Sequence, residues 1–205
     1  MTDTDRDPYR ILEVAPISPQ EHINRVFQAR LREMESQDAP QHRRSQIQGA
    51  FDFLSDPGRR REYGNRSCFQ VKRPGDFSQG GGSDAGPTGG GLLSSLMGAF
   101  QKKPKRVADD KGIEKNMSLG YLYSQSQITE FLQYALLEFQ EVCSLDPFNL
   151  EALYNTALMH YKLGEFDEAI RSLRKMLSMN SDLADAGFFL ALLEESVKEG
   201  ERNHE

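Results

Sequence analysis

Asn149-Leu-Glu-Ala-Leu-Tyr-Asn-Thr-Ala-Leu-Met-His-Tyr-Lys-Leu-Gly-Glu-Phe-Asp-Glu-Ala-Ile-Arg-Ser-Leu-Arg-Lys-Met-Leu177 reads as two helices joined at Gly164-Glu-Phe-Asp167. Gly164 suits the left-handed backbone that ends a helix, and Asp167 opens the next one. Ala157 and Ala169 are small enough to let the two helices approach, with Phe166 and Leu173 filling the space between them. The same apolar periodicity continues on both sides. Ile128 to Ser144 predicts a helix upstream, preceded by a short one around Asn116–Ser124. Downstream, Ala184 to Lys198 predicts a last helix carrying Phe188, Phe189 and Leu192. Residues 116–200 are therefore expected to stack helical hairpins.

The N-terminal end is also helical by pattern. Asp7-Pro8-Tyr9 opens a short helix bearing Ile11, Leu12 and Val14, with Asp7 as N-cap and Pro8 at the first helical position. Ser18-Pro19-Gln20-Glu21 has the spacing of a capping box. Ile23, Val26, Phe27, Leu31 and Met34 then keep one apolar stripe to about Glu35, and Gln37-Asp38-Ala39-Pro40 breaks it. Ile47, Ala50, Phe51 and Leu54 share a face of a third helix, which ends at Ser55-Asp56-Pro57. Gly58 to Gly64 gives a short, basic fourth helix.

Between these ends the composition changes. The stretch from Gly75 to Gly91 is dominated by Gly, Ser, Asp and Pro, and buries too little apolar surface to offset the entropy of ordering. Residues 67–115 are expected to be a flexible tether between a module at 7–66 and one at 116–200. Within the tether, Leu92-Leu-Ser-Ser-Leu-Met-Gly-Ala-Phe100 precedes Gln-Lys-Lys-Pro-Lys-Arg106. That pairing suits an inert linker, a peptide that docks in a groove, or a weak membrane contact.

Charge follows the same division. Residues 1–70 carry 11 acids and 11 bases, residues 71–115 carry 5 and 8, and residues 116–205 carry 15 and 6, which accounts for the net −6. An acidic C-terminal module argues against nucleic-acid binding, which needs clustered Lys and Arg. No apolar run is long enough to span a bilayer, and from the acidic start Met1-Thr-Asp-Thr-Asp, without an apolar stretch, no secretory signal is expected. The two cysteines, Cys68 and Cys143, sit in different parts of the chain, so neither a disulfide framework nor a four-ligand zinc site is expected, and a cytoplasmic location is.

Two families are resembled. Asp7-Pro-Tyr-Arg-Ile-Leu-Glu-Val14, Ser18-Pro19, and Ile47-x-x-Ala50-Phe51-x-x-Leu54-Ser-Asp-Pro57-x-x-Arg60-Arg61-x-Tyr63 resemble the J-domain (DnaJ-like) family over about residues 7–65. Tyr161-Lys-Leu-Gly-Glu-Phe-Asp-Glu-Ala-Ile170 resembles the tetratricopeptide repeat, a helix–turn–helix unit of about 34 residues. The clearest repeat lies at 150–183. The fold expected is all-α: a four-helix J-domain-like module, a disordered Gly-rich linker, and TPR-like hairpins.

The J-domain resemblance implies a DnaK-type chaperone as partner, but it has one serious departure. The family's loop carries His-Pro-Asp, on which stimulation of the chaperone's ATPase depends. Glu35-Ser36-Gln37 stands there instead. Glu13 also replaces a usual Gly, expected to be of little consequence. The family's second helix presents a basic face to the chaperone, which here implies Arg25, Arg30 and Arg32 as partner-binding residues, against the plainer reading of solvated helix arginines. In tetratricopeptide repeats the first helices line the concave face, which implies Tyr154, Asn155, Leu158 and Lys162 as partner contacts, with Phe188 and Phe189 beside them. The alternative for Tyr154 and the phenylalanines is core, and Phe189 is expected there. So few repeats sit near the lower limit of stability. Dimerisation through this module, or a linker peptide packed on its concave face, is the expected supplement.

No enzyme, metal or cofactor is expected. The four histidines (His22, His42, His160 and His204) are scattered without metal spacing. The glycine runs lack the Lys-Ser/Thr of a phosphate loop, and Cys143 reads as a small buried hydrophobe. Two functions follow: an adaptor that docks a DnaK-type chaperone without stimulating it and recruits a partner protein through its repeat helices, or an interaction scaffold unrelated to chaperones.

Overall fold

The computed structural model describes residues 6–36, 40–77 and 110–195. Gln37 of the altered loop, the 92–106 segment and the expected end of the last helix beyond Glu195 lie outside the described residues.

Asp7 caps α1 (Pro8–Leu12) by accepting a hydrogen bond from the Tyr9 N–H at 3.3 Å. The helix ends on Glu13, whose φ of 55° and ψ of 44° are left-handed. That backbone is glycine's, so Glu13 is strained there, contrary to the small consequence expected of it. α2 (Gln20–Ser36) and α3 (Gln41–Leu54) pack through Phe27 on Phe51, stacked at 3.9 Å between ring centroids, with Ile23, Ile47 and Leu54 buried alongside.

α4 (Pro57–Gly64) is fastened by the block that distinguishes it in sequence. Asp56 accepts the N–H groups of Gly58 and Arg59 at 2.7 and 3.1 Å, and Pro57 occupies the first helical position. Arg60 donates to the Ser18 carbonyl at 2.9 Å, to Gln20 Oε1 at 3.2 Å and to the Tyr9 hydroxyl at 3.3 Å, tying α4 to α1 and the start of α2.

The second group is α5 (Asp110–Ser124), α6 (Thr129–Leu145), α7 (Leu150–Leu163), α8 (Phe166–Met179) and α9 (Ala184–Glu195), each packed on the next. α5 begins at Asp110, earlier than its weak pattern suggested. It holds α6 closely because Gly120 has no side chain: a Cβ there would lie 2.6 Å from the Phe139 ring. Asn149 caps α7 by accepting from the Ala152 N–H at 2.9 Å, and Gly164 ends it at φ 82°. Every described regular element is helical.

The expected tether differs at both ends. Residues 110–115 are helical, and residues 67–77 are packed, beginning with a 3₁₀ turn at Ser67–Phe69. The glycine-rich composition that predicts disorder starts only at Gly75. Cys68, Phe69 and Val71 before it are apolar, and Cys68 and Phe69 are buried at 0% and 6% exposure.

Candidate functional site

α7 is buried on all sides, from Ala152 to Tyr161. A repeat helix has partners on the side of α6 and α8, so its remaining face must be covered by something else. Two parts of the same chain cover it. One is the segment 67–77, a strap that crosses α7 beside α9: a 3₁₀ turn at Ser67–Phe69, a short extended stretch through Lys72, and a turn closed by the Asp76 N–H on the Arg73 carbonyl at 3.0 Å. The other is the N-terminal group α1–α4.

The strap is held by its backbone. Asn155, fully buried, accepts the Lys72 N–H on Oδ1 and donates from Nδ2 to the Lys72 carbonyl, both at 2.7 Å. The Tyr154 hydroxyl donates to the Cys68 carbonyl at 2.7 Å, and Glu151 Oε1 accepts the Gly75 N–H at 3.0 Å. A buried amide satisfied at both ends is stabilising, whereas the same amide left unpaired costs about 1–3 kcal/mol. Asp185 on α9 pairs with the Lys72 ammonium and accepts the Ser67 hydroxyl at 3.0 Å. Burial pushes the Asp185 carboxyl up, but the hydrogen bond from Lys72 and its charge prevail and hold it below the usual carboxylate range. Phe69 stacks on Tyr161 at 4.9 Å and meets the edge of Phe189 at 5.3 Å, and Phe77 lies 5.4 Å from the Tyr154 ring. Burying a phenylalanine side chain contributes about 2–3 kcal/mol, so Phe69 anchors the strap.

The N-terminal group meets the repeat at Asp7. Besides capping α1, Asp7 Oδ1 accepts the hydroxyls of Tyr63 at 2.9 Å and Tyr161 at 3.1 Å, joining α1, α4 and α7 in one buried network. Its Oδ2 is buried without a hydrogen-bond partner. Desolvation outweighs the donated hydrogen bonds and raises the carboxyl from 3.8 to about 6. Nearby, Arg10 pairs with Asp167 at 2.7 Å and lies over the Phe166 ring at 5.1 Å. Ala15 sits against the Gly164 turn, 3.1 Å from where a Cβ on that glycine would be.

The four repeat residues expected to contact a partner thus come together on one face of α7, and their neighbours are residues of the same chain. Tyr154 and Asn155 hold the strap. Leu158 is fully buried and, with Lys162, lines a cleft of about 530 Å³ between α7 and α4. Lys162 donates to the Ser124 carbonyl at 3.3 Å, and desolvation lowers its ammonium below the usual lysine range. Phe189 is core at 0% exposure, while Phe188 is half-exposed at 50%.

The arginines of α2 form no part of this face. Arg25 and Arg32 are exposed, and Arg30 pairs with both Glu13 and Glu33. Glu35 is exposed in the last turn of α2, and Ser36 is its final residue. Sequence reasoning missed Asp7 as a joint between the two groups, and missed Phe69, Lys72 and Asp185. The apolar residues Cys68, Phe69 and Val71, set just before the glycine-rich stretch, were the available signal for the strap.

Among the described residues no group of three or more His, Cys, Asp or Glu is placed to hold a metal ion, and no helix is long and apolar enough to cross a membrane. Burial raises the Cys68 thiol to about 11 and the Cys143 thiol above its ordinary value, which leaves both protonated and poorly nucleophilic at neutral pH.

A helical groove filled by an extended segment is what a repeat built for protein contacts provides. The tetratricopeptide repeat family model matches residues 150–183, which span α7 and α8. No J-domain match accompanies it. No curated protein and no solved structure matches the chain. The repeat marks the chain's C-terminal helices as a protein-interaction fold.

Proposed function

We propose that the protein is a non-enzymatic, cytoplasmic adaptor that docks a DnaK-type chaperone through its N-terminal helices, without the usual ATPase stimulation, and recruits a partner protein through its repeat helices. The observation that carries the adaptor reading is the tetratricopeptide repeat at 150–183, whose α7 presents backbone-reading side chains to an extended segment. The chaperone reading draws on the J-domain resemblance of residues 7–65 and on the exposure of Arg25 and Arg32, seven positions apart on α2, as charges suited to electrostatic encounter. Loss of stimulation follows from Glu35-Ser36-Gln37 in place of His-Pro-Asp. Glu35 has no imidazole, Ser36 lacks the proline constraint and Gln37 lacks a carboxylate.

A single-turnover ATPase assay with a cognate DnaK-type chaperone, run beside a pull-down, tests this. The expected result is binding without stimulation, weakened by Arg25→Glu with Arg32→Glu. Restoring the tripeptide (Glu35→His, Ser36→Pro, Gln37→Asp) is expected to bring stimulation back. The altered loop also favours a second reading, a scaffold unrelated to chaperones. Neither binding nor stimulation above background would select it.

A further inference from the structure

The strap contacts use chemistry that reads an extended peptide. Asn155 addresses the N–H and C=O of a single residue, groups that nearly every residue type offers. Around that clamp the groove is acidic and aromatic. Asp185 takes the Lys72 ammonium, and Glu151 takes a backbone N–H at Gly75. The Tyr154 ring lies 5.3 Å from the Lys72 Nζ and 5.4 Å from Phe77. The occupant this wall fits is a segment that is extended at the clamp, with a cation there and an aromatic side chain beyond a turn. Charge points the same way: residues 116–205 carry 15 acids against 6 bases, so a basic segment is drawn to the groove.

The strap's hold is uneven along its length. Cys68 and Phe69 are buried in the core. Beyond them Gln70, Arg73, Pro74 and Asp76 are exposed, Val71, Gly75 and Phe77 are half-buried, and Lys72 is held closely, its side chain 11% exposed. Lifting residues 70–77 breaks the bonds to Asn155 and Glu151 and the Lys72–Asp185 pair but uncovers no fully buried apolar side chain of the strap. It exposes Asn155, Asp185 and the Tyr154 ring while Phe69 stays in place. Elements with few buried apolar contacts open at low free energy.

We propose that the groove between α7 and α9 docks an extended basic peptide of a partner protein, and that residues 70–77 fill it in cis until that peptide displaces them. The proposal rests on the adaptor reading and gives its partner a chemistry. Recruitment is then self-limited: the partner's apparent affinity is its intrinsic affinity reduced by the fraction of molecules with the strap lifted.

The test uses the full chain and a fluorescein-labelled peptide of residues 70–77 (Gln-Val-Lys-Arg-Pro-Gly-Asp-Phe), followed by anisotropy. Lys72→Glu in the protein sets a carboxylate against Asp185 and loosens the strap in cis. It is expected to bind the peptide about tenfold more tightly than the wild type does. Adding Asp185→Asn to that variant is expected to reverse the gain. Equal affinity of the wild type and Lys72→Glu, absence of binding by both, or a gain insensitive to Asp185→Asn would overturn the proposal.

Hydrogen exchange on the wild-type chain keeps the proposal testable where Lys72→Glu fails to fold. The Lys72 and Gly75 amides are expected to exchange at least about tenfold faster than those in the middle of α7. Exchange of these amides only together with α7 would overturn the displaceable strap. A chain that captures the chaperone but fails the peptide test loses the groove and keeps the adaptor. A chain that passes the peptide test without capturing the chaperone keeps the groove and loses the chaperone.

Discussion

Asp7 carries three duties on one oxygen, as cap of α1 and as acceptor for Tyr63 and Tyr161, while its other oxygen is buried unpaired. Because burial raises its folded-state pKa from 3.8 to about 6, the folded protein favours the protonated form. Its contribution to stability is thus fully present below pH 3.8 and is lost as pH rises through 6. In urea unfolding the wild type is expected to gain about 1 kcal/mol relative to Asp7→Asn between pH 7.5 and pH 5, since one pKa unit corresponds to about 1.4 kcal/mol. Asn at this position keeps an acceptor for the tyrosines but cannot titrate, so a wild-type-minus-variant difference that stays flat over that range refutes the assignment. Glu13 is a second residue whose backbone sets the outcome. Glu13→Gly is expected to raise stability by about 1 kcal/mol by removing the left-handed strain. The exposed pair with Arg30 that it gives up is worth about 0.2–1 kcal/mol. A melting temperature unchanged or lowered in that variant would show that the ion pair outweighs the strain.

The helices follow their local signals where those signals are chemical rather than statistical. Asp7-Pro8, Asp56-Pro57 and Asn149 cap α1, α4 and α7 as their residue types dictate, and Gly164 closes α7 in the left-handed region. α5 was hard to read because its close approach to α6 is made at Gly120, against the Phe139 ring, and a glycine adds nothing to an apolar period. Gly120→Ala places a methyl against a fully buried ring, and overpacking of that kind costs about 1–3 kcal/mol. Thermal melts are expected to show that loss, although alanine has the higher helix propensity. A rise in stability would mean that α5 and α6 are further apart than the structure has them. The four repeat residues on α7 were legible because a helical period puts them on one face. Their covering was not legible, since Lys72 and Asp185 are 113 positions apart and only the fold makes them neighbours.

At the scale of the whole chain, the N-terminal helices and the repeat share buried groups, although the sequence suggests two modules on a tether. Tyr161 on α7 bonds Asp7 and stacks on Phe69, so removing either group of helices exposes the other's core. A repeat with few units sits near the lower limit of stability, and a stack covered by α1–α4 and the strap no longer depends on repeat number alone. The described helices are accordingly expected to unfold in one calorimetric transition, with calorimetric and van't Hoff enthalpies in a ratio of about one. Ala15 offers a way to part the two groups, because its Cβ faces the Gly164 turn, 3.1 Å from where a Cβ on that glycine would lie. Ala15→Trp is expected to lower the melting temperature and split the endotherm in two, the repeat melting first because it loses the cover on α7. A single, unshifted endotherm in Ala15→Trp would mean that the two groups do not stabilise each other, and that the repeat helices hold their fold without the N-terminal ones.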